Sequence, residues 1–368
     1  MKRHWKVCRA AAVGFLVCAM LPGIWLWYQR KAGMAFARQL GAGINIGNSL
    51  DVYKLKMRNP SAAVEEYEVY WGNPPIDGKL FVEIHSAGFD TVRIPVSWGE
   101  HMDASGNVEK EWMERVTEVV DAALDAGLFV ILDTHHEKWL VPVKESEKKV
   151  MDILCTLWRQ IAENFADRGE KLLFEAMNEP RVEGGEEWTS GTTEYREVVN
   201  RLNKAFVDTV RDCGGYNRKR WLLLPAYGST RRETALKEMK LPWDFRLIVS
   251  VHAYIPYEFT LGETQYDSWD AAQEEDTKEI DGMMERLDQL FLRKGIPVVI
   301  TEFGCDYKEN PEDILAWAEY YTGFAKKKGI PYIWWDNGAE SSLLDREDYT
   351  WIRPELAGIL IKNSVNGK

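Results

Sequence analysis

Short apolar runs that end on polar tips recur along this chain. They are separated by stretches whose apolar residues return every three or four positions. The runs are "GINIGNSL" (43–50), "TVRIPVSW" (91–98), "FVILDTHH" (129–136), "LLFEAMNE" (172–179), "WLLLPAY" (221–227), "LIVSVHAY" (247–254), "PVVITEFG" (297–304) and "YIWWDNG" (332–338). Continuous apolar runs of this length read as strands buried on both faces, the pattern of a parallel sheet covered by helices. Between them, 111–128 has helical spacing with Gly127 placed to end it, and 151–166, 194–211, 281–294 and 312–328 repeat the pattern. Eight strand–helix units predict an α/β fold of the (β/α)8 TIM-barrel type, one domain over 31–368. The alternative is an open doubly wound sheet. It is disfavoured by the count of eight and by the lack of a Gly-x-Gly-x-x-Gly turn after the first run.

In such a barrel the C-terminal ends of all strands converge on one face, where active sites sit. The tips gathered there would be Asn48, Arg93, His135 or His136, Asn178 with Glu179, Tyr227, His252 with Tyr254, Glu302, and Trp335 with Asn337. Each alone has a plain structural reading, since a lone His is more often a satisfied structural residue and a lone Glu more often a cap. Eight polar tips on one rim are harder to explain as packing. Two carboxylates, Glu179 and Glu302, fit acid/base chemistry of the kind that splits a glycosidic bond, in which one acid protonates and the other attacks or activates water. Arg93 is placed to keep a neighbouring carboxylate ionised. Asn178 offers an amide to a substrate hydroxyl.

Metal catalysis is the rival reading of "DTHHE" (133–137). Adjacent strand residues point to opposite faces, so His135 and His136 are not expected to share a metal, and no metal or other cofactor is expected. A phosphate site would want a glycine-rich loop at a helix start after strand seven or eight, and "EFGCDY" and "DNGAES" match that weakly.

The N-terminus changes the picture of location. Lys2, Arg3, Lys6 and Arg9 precede an uncharged stretch from Ala10 to Tyr28, a basic region followed by an apolar one that signals export. Residues 1–30 are expected to be a signal anchor in preference to a cleaved signal peptide, with the domain outside the cytoplasm, membrane-anchored or secreted. "AFA" at 35–37 resembles a cleavage site but abuts the expected domain. The net charge of -12 excludes a nucleic-acid partner. The five cysteines form no Cys-x-x-Cys pair, and one disulfide among Cys155, Cys213 and Cys305 stays open. Sixteen Trp read either as a large core or as surfaces that stack on sugar rings.

"VRIP" (92–95), "THHE" (134–137), "MNEPR" (177–181), "HAY" (252–254), "TEFG" (301–304) and "WWDNG" (334–338) stand in the order and spacing of glycoside hydrolase family 5. With "GINIGNSLD", "WGNP" (71–74) and "LLDR" (343–346), the set most resembles subfamily 4, over roughly residues 38 to 360. The resemblance implies a retaining endo-β-1,4-glucanase acting on β-glucans, among them cellulose derivatives, mixed-linkage glucan and xyloglucan; a monomer is expected. Glu179 would be the acid/base and Glu302 the nucleophile, supported by Arg93. Asn178 would hold the sugar 2-hydroxyl, with His135, His252 and Tyr254 around it and Trp335 as the platform; Asn48 and Asn337, from their place on the rim, are further binding candidates, and His136 either binds at the rim or is structural. Trp71, Asn73, Trp98, His101 and Trp139 are candidates for flanking subsites. A mannanase or other β-glycanase, or a binding protein without activity, are the alternatives. One departure is Ile44, where the family pattern has Trp.

Overall fold

The computed structural model describes residues 26–184, 189–262 and 268–367. Eight strands, β1 (Ala42–Ile46), β2 (Thr91–Ile94), β3 (Phe129–Leu132), β4 (Leu172–Glu175), β5 (Leu222–Thr230), β6 (Leu247–His252), β7 (Val298–Phe303) and β8 (Tyr332–Asp336), close into a barrel in chain order. Every neighbouring pair is parallel, including β1 with β8, where Asn45 pairs with Trp335. The (β/α)8 expectation holds.

Alternate residues along each strand serve two different cores. Ile44, Val92, Val130, Phe174, Leu224, Val249, Ile300 and Trp334 are buried against the surrounding helices. Ile131, Leu173, Leu223, Ile248, Val299 and Ile333 fill the barrel interior. Ile44 therefore packs outward, away from the mouth, and the departure from the family's Trp leaves the cleft untouched.

The helices fall where the apolar period placed them, at Lys110–Asp125, Glu147–Asn164, Thr193–Asp212, Glu274–Leu290 and Pro311–Lys328. In the first, Trp112, Val116, Val119, Val120 and Ala123 form the buried stripe; each large apolar side chain buried this way contributes about 1.5–3 kcal/mol. Pro311 opens the last of these helices, and Gly329 closes it in the left-handed region at φ 71°, where a Cβ would be strained. Gly78–Ala87 and Pro354–Lys362 are further helices that the spacing did not announce.

The strands are shorter than the apolar runs. β1 stops at Ile46, β3 at Leu132 and β4 at Glu175, so Asn48, His135, Asn178 and Glu179 stand on the loops that follow. Cys155, Cys213 and Cys305 are free thiols.

The N-terminal mouth of the barrel is closed by residues 26–39, which are helical and run through the expected domain boundary at 30. Phe36 and Leu40 join the interior core, and Phe36 stacks on Trp221 at 4.6 Å and 11°. Gly33 brings the helix backbone so near the Trp221 ring that a Cβ there would lie 3.3 Å from it. Most of the expected anchor, residues 1–25, lies outside the described residues. Among those described, no helix is long and apolar enough to cross a membrane.

Candidate active site

Above the apolar interior, the inward positions turn polar. Arg93, fully buried on β2, reaches five side chains. Its Nε donates to Glu175 Oε2 at 2.6 Å, Nη1 to Glu302 Oε1 at 2.6 Å and Asn45 Oδ1 at 3.0 Å, and Nη2 to Asn178 Oδ1 at 2.8 Å. Nη2 also pairs with Asp133 Oδ2 at 2.6 Å. Burial would weaken the guanidinium's charge, but Asp133, Glu175 and Glu302 outweigh it and hold the proton on. Burial likewise pushes the Asp133 carboxyl above its usual range, against the pull of Arg93. Three carboxylates around one cation would repel one another without it, so Arg93 fixes where Glu302 stands.

Glu302, on β7, is 6% exposed. Its second oxygen accepts from Tyr254 Oη at 3.1 Å. Glu179, four residues past β4, keeps a third of its side chain exposed, at 34%. Its Oε1 meets His252 Nδ1 at 2.9 Å, and Oε2 pairs with Arg181. His252 Nδ1 also lies 3.4 Å from Glu302 Oε2. One oxygen from each acid and one His252 nitrogen all fall within 4.8 Å of one another. That spacing is tighter than the opening of about 6.5–9.5 Å that an inverting glycosidase leaves for water. Burial raises Glu179, but the His252 hydrogen bond and the charges of His252 and Arg181 outweigh it and hold the carboxyl at about 2 in the empty cleft. His252 is raised, its burial outweighed by Glu302 and Glu179. Burial and Glu302 push the Tyr254 hydroxyl well up, so it stays a donor.

His135 and His136 both face the cleft. They lie past the end of β3, where strand alternation no longer applies, and their rings are 4.5 Å apart. With Asp51 they gather three donor atoms within 4.8 Å, so the argument that they must point apart is corrected. Burial and the Arg93 charge lower His135 to about 3, and burial and His135 lower His136 to about 3. Both rings are neutral. His135 Nδ1 is bound to Asp133 Oδ2 at 2.8 Å, which leaves Nε2 for a ligand. The Trp335 ring lies parallel to His135 at 5.8 Å and 5°. It sits over Gly47, where a Cβ would come within 2.7 Å of the ring.

Other expected residues are committed to the scaffold. Asn48 is in the left-handed region at φ 57°, and its carbonyl accepts from Asn73, which also holds the Asn337 carbonyl. Asn337 turns its Oδ1 inward to Ala339 and Ser341 nitrogens. Trp98 is buried with Nε1 on the Asp133 carbonyl, His101 is buried and stacked on Trp112 at 3.7 Å, and Tyr227 accepts from the Val182 amide. Trp71 and Trp139 are half-buried at the rim, beside Tyr53 and Glu137 respectively.

Asn45, Asp133, Glu175 and Arg181 were not singled out from the sequence. For Glu175 the signal was present, because an ionisable residue inside "LLFEAM" cannot be left unpaired in a core. Two cavities of about 590 and 570 Å³ open beside the acids, and both are lined by Glu179 and Arg181. The cleft thus runs past Glu179 on both sides.

A (β/α)8 barrel whose C-terminal mouth sets two close carboxylates in an open cleft defines a retaining glycoside hydrolase. Residues 54–341 match the cellulase family, glycosyl hydrolase family 5, and the chain belongs to that family. Endoglucanase A of Clostridium longisporum is 38% identical over 347 residues, which span 91% of this chain and 66% of that protein. Among solved structures, a xyloglucan-specific endo-β-1,4-glucanase from a metagenomic library, in complex with cellotriose, superposes with TM-score 0.85 at 34% identity, covering 90% of this chain and 99% of that one. A Caldicellulosiruptor lichenase mutant in complex with cellotetraose superposes with TM-score 0.84 at 34% identity, covering 90% and 95%.

Proposed function

We propose that this chain is a retaining endo-β-1,4-glucanase that cuts internal bonds of soluble cellulose, mixed-linkage glucan and xyloglucan. The observation that carries this reading is the Glu179–His252–Glu302 cluster in mid-cleft, with room for sugar on either side. Glu302 attacks the anomeric carbon while Glu179 gives a proton to the departing glycosidic oxygen, and a glycosyl ester forms on Glu302. Glu179, now a base, takes a proton from water, which attacks the same carbon and frees Glu302 with configuration retained. His135 Nε2 and the Asn178 amide face the sugar at the cleavage point, and Trp335 stacks beneath it. Asn48, His136 and Asn337 shape the same rim. The relatives named above, one acting on xyloglucan and one a lichenase, support the substrate class.

The enzyme acts as a monomer outside the cytoplasm. Residues 1–30 hold it to the membrane, supported by the charge-free stretch behind Lys2, Arg3, Lys6 and Arg9.

The test is release of reducing ends from xyloglucan, mixed-linkage glucan, carboxymethyl cellulose and mannan. Release on the glucans that falls about 10⁴-fold or more in Glu302→Gln is the expected result. Activity confined to mannan would move the substrate, and unchanged hydrolysis by Glu302→Gln would remove the nucleophile.

A further inference from the structure

The face of the barrel opposite the cleft has its own character. The connections that lead into the strands all lie at the N-terminal mouth. In a chain of net charge -12, basic residues outnumber acidic ones in these connections; Lys219 and Lys294 are exposed there, and Lys327 is exposed in the last turn of the helix that leads into β8. Three large aromatic side chains are exposed on the same face: Trp27 at 55%, Tyr28 at 61% and Trp243 at 84%. Lys31 lies over the Trp27 ring at 5.0 Å. Trp and Tyr beside basic residues are the side chains that settle at the headgroup level of a bilayer.

The route of the chain supplies the occupant. The uncharged stretch Ala10–Tyr28 overlaps the start of the helix at 26–39, and that helix is fixed to the barrel by Phe36 on Trp221. Among the described residues, the helix runs without a break from Leu26 to the barrel floor. We propose that the N-terminal mouth of the barrel rests on anionic phospholipid headgroups, with the catalytic cleft turned away from the membrane. The proposal rests on residues 1–30 staying attached as an anchor. Basic side chains then meet phosphate, and the exposed aromatics enter the interface.

The experiment uses the full chain in detergent micelles, in phosphatidylcholine vesicles and in vesicles that also contain phosphatidylglycerol. Flotation reports anchoring, and lysine acetylation read by mass spectrometry reports docking. In floating anionic vesicles, Lys219, Lys294 and Lys327 should be acetylated about fivefold or more slowly than in micelles. Lys138, beside the cleft, should be unchanged. Protection should weaken in phosphatidylcholine alone and at about 1 M salt, where the screening length falls to about 3 Å. A chain that floats while all four lysines react as in micelles overturns the docking and leaves the anchor standing. A chain that does not float overturns both. Glucan hydrolysis by the same samples checks the activity separately.

Discussion

Arg181 holds Glu179, the proposed acid/base, by the oxygen that His252 does not, and its effect has a definite sign. In the proposed mechanism Glu179 must carry a proton to release the leaving group, so turnover is lost as pH rises through its pKa. His252 and Arg181 outweigh burial and hold that pKa at about 2, which is lower than an acid catalyst needs near neutrality. The proton is nonetheless close, since His252 Nδ1 lies 2.9 Å from Glu179 Oε1 and His252 is raised. Movement along that bond turns an ion pair into a neutral acid and a neutral imidazole. Arg181→Met should therefore shift the alkaline limb of the kcat/KM profile upward by about one pH unit, with a smaller change in kcat at the optimum. A limb that stays in place would remove Arg181 from the proton balance. Arg93 is a different case, because three buried acids depend on it. Arg93→Met should lower stability by about 3–5 kcal/mol in urea unfolding, and the variant that still folds should lose turnover on a glucan with an activated leaving group as well as on polymer.

The elements carry the site through contacts that only backbone geometry reveals. Trp335 lies flat over Gly47 because no Cβ stands there. Gly47→Ala should displace the ring and cut kcat/KM by about 10–100-fold, while circular dichroism and melting temperature stay near those of the parent. The helix over 26–39 is a floor as well as a lead-in. Phe36 fills the bottom of the interior core, and Phe36→Ala should cost about 3–5 kcal/mol by thermal or urea unfolding. Cleavage after "AFA" would remove that side chain and open the barrel from below.

This floor marks what the sequence could and could not say. Its apolar residues resume just past Gln29, Arg30 and Lys31, so that charged break read as a domain boundary although the helix runs through it. The acids at 179 and 302 were legible because a carboxylate closing an apolar run needs a reason. Their depth was not legible, since Glu302 lies within β7 whereas Glu179 hangs four residues beyond β4. The pairing of Asp133 and Glu175 with Arg93 joins residues far apart in the chain, and no local pattern encodes it. Asn48 and Asn337 read as ligands from their place at the rim; that one side chain from another loop, Asn73, holds both of their backbone carbonyls was not legible.

At the scale of the whole molecule, the barrel separates two tasks along its axis. Apolar side chains from Phe36 up to Ile333 hold the lower interior closed, and the upper interior is polar, held together by Arg93 and the side chains it pairs. What occupies it is out of balance. Arg93 meets Asp133, Glu175 and Glu302, while burial keeps His135 and His136 neutral beside them. Counting Glu179 with its partners Arg181 and the raised His252, four acids still face three cationic groups, and such a pocket favours a guest bearing positive charge. A glucose-shaped ring with a protonated nitrogen should bind about 100-fold or more tightly than the neutral sugar, measured by calorimetry. Salt should weaken it little, because buried charges are poorly screened. In this sense the mouth of the barrel is a cation receptor, and a glucan is cut there because its ring becomes the matching ion only at the moment the bond gives way.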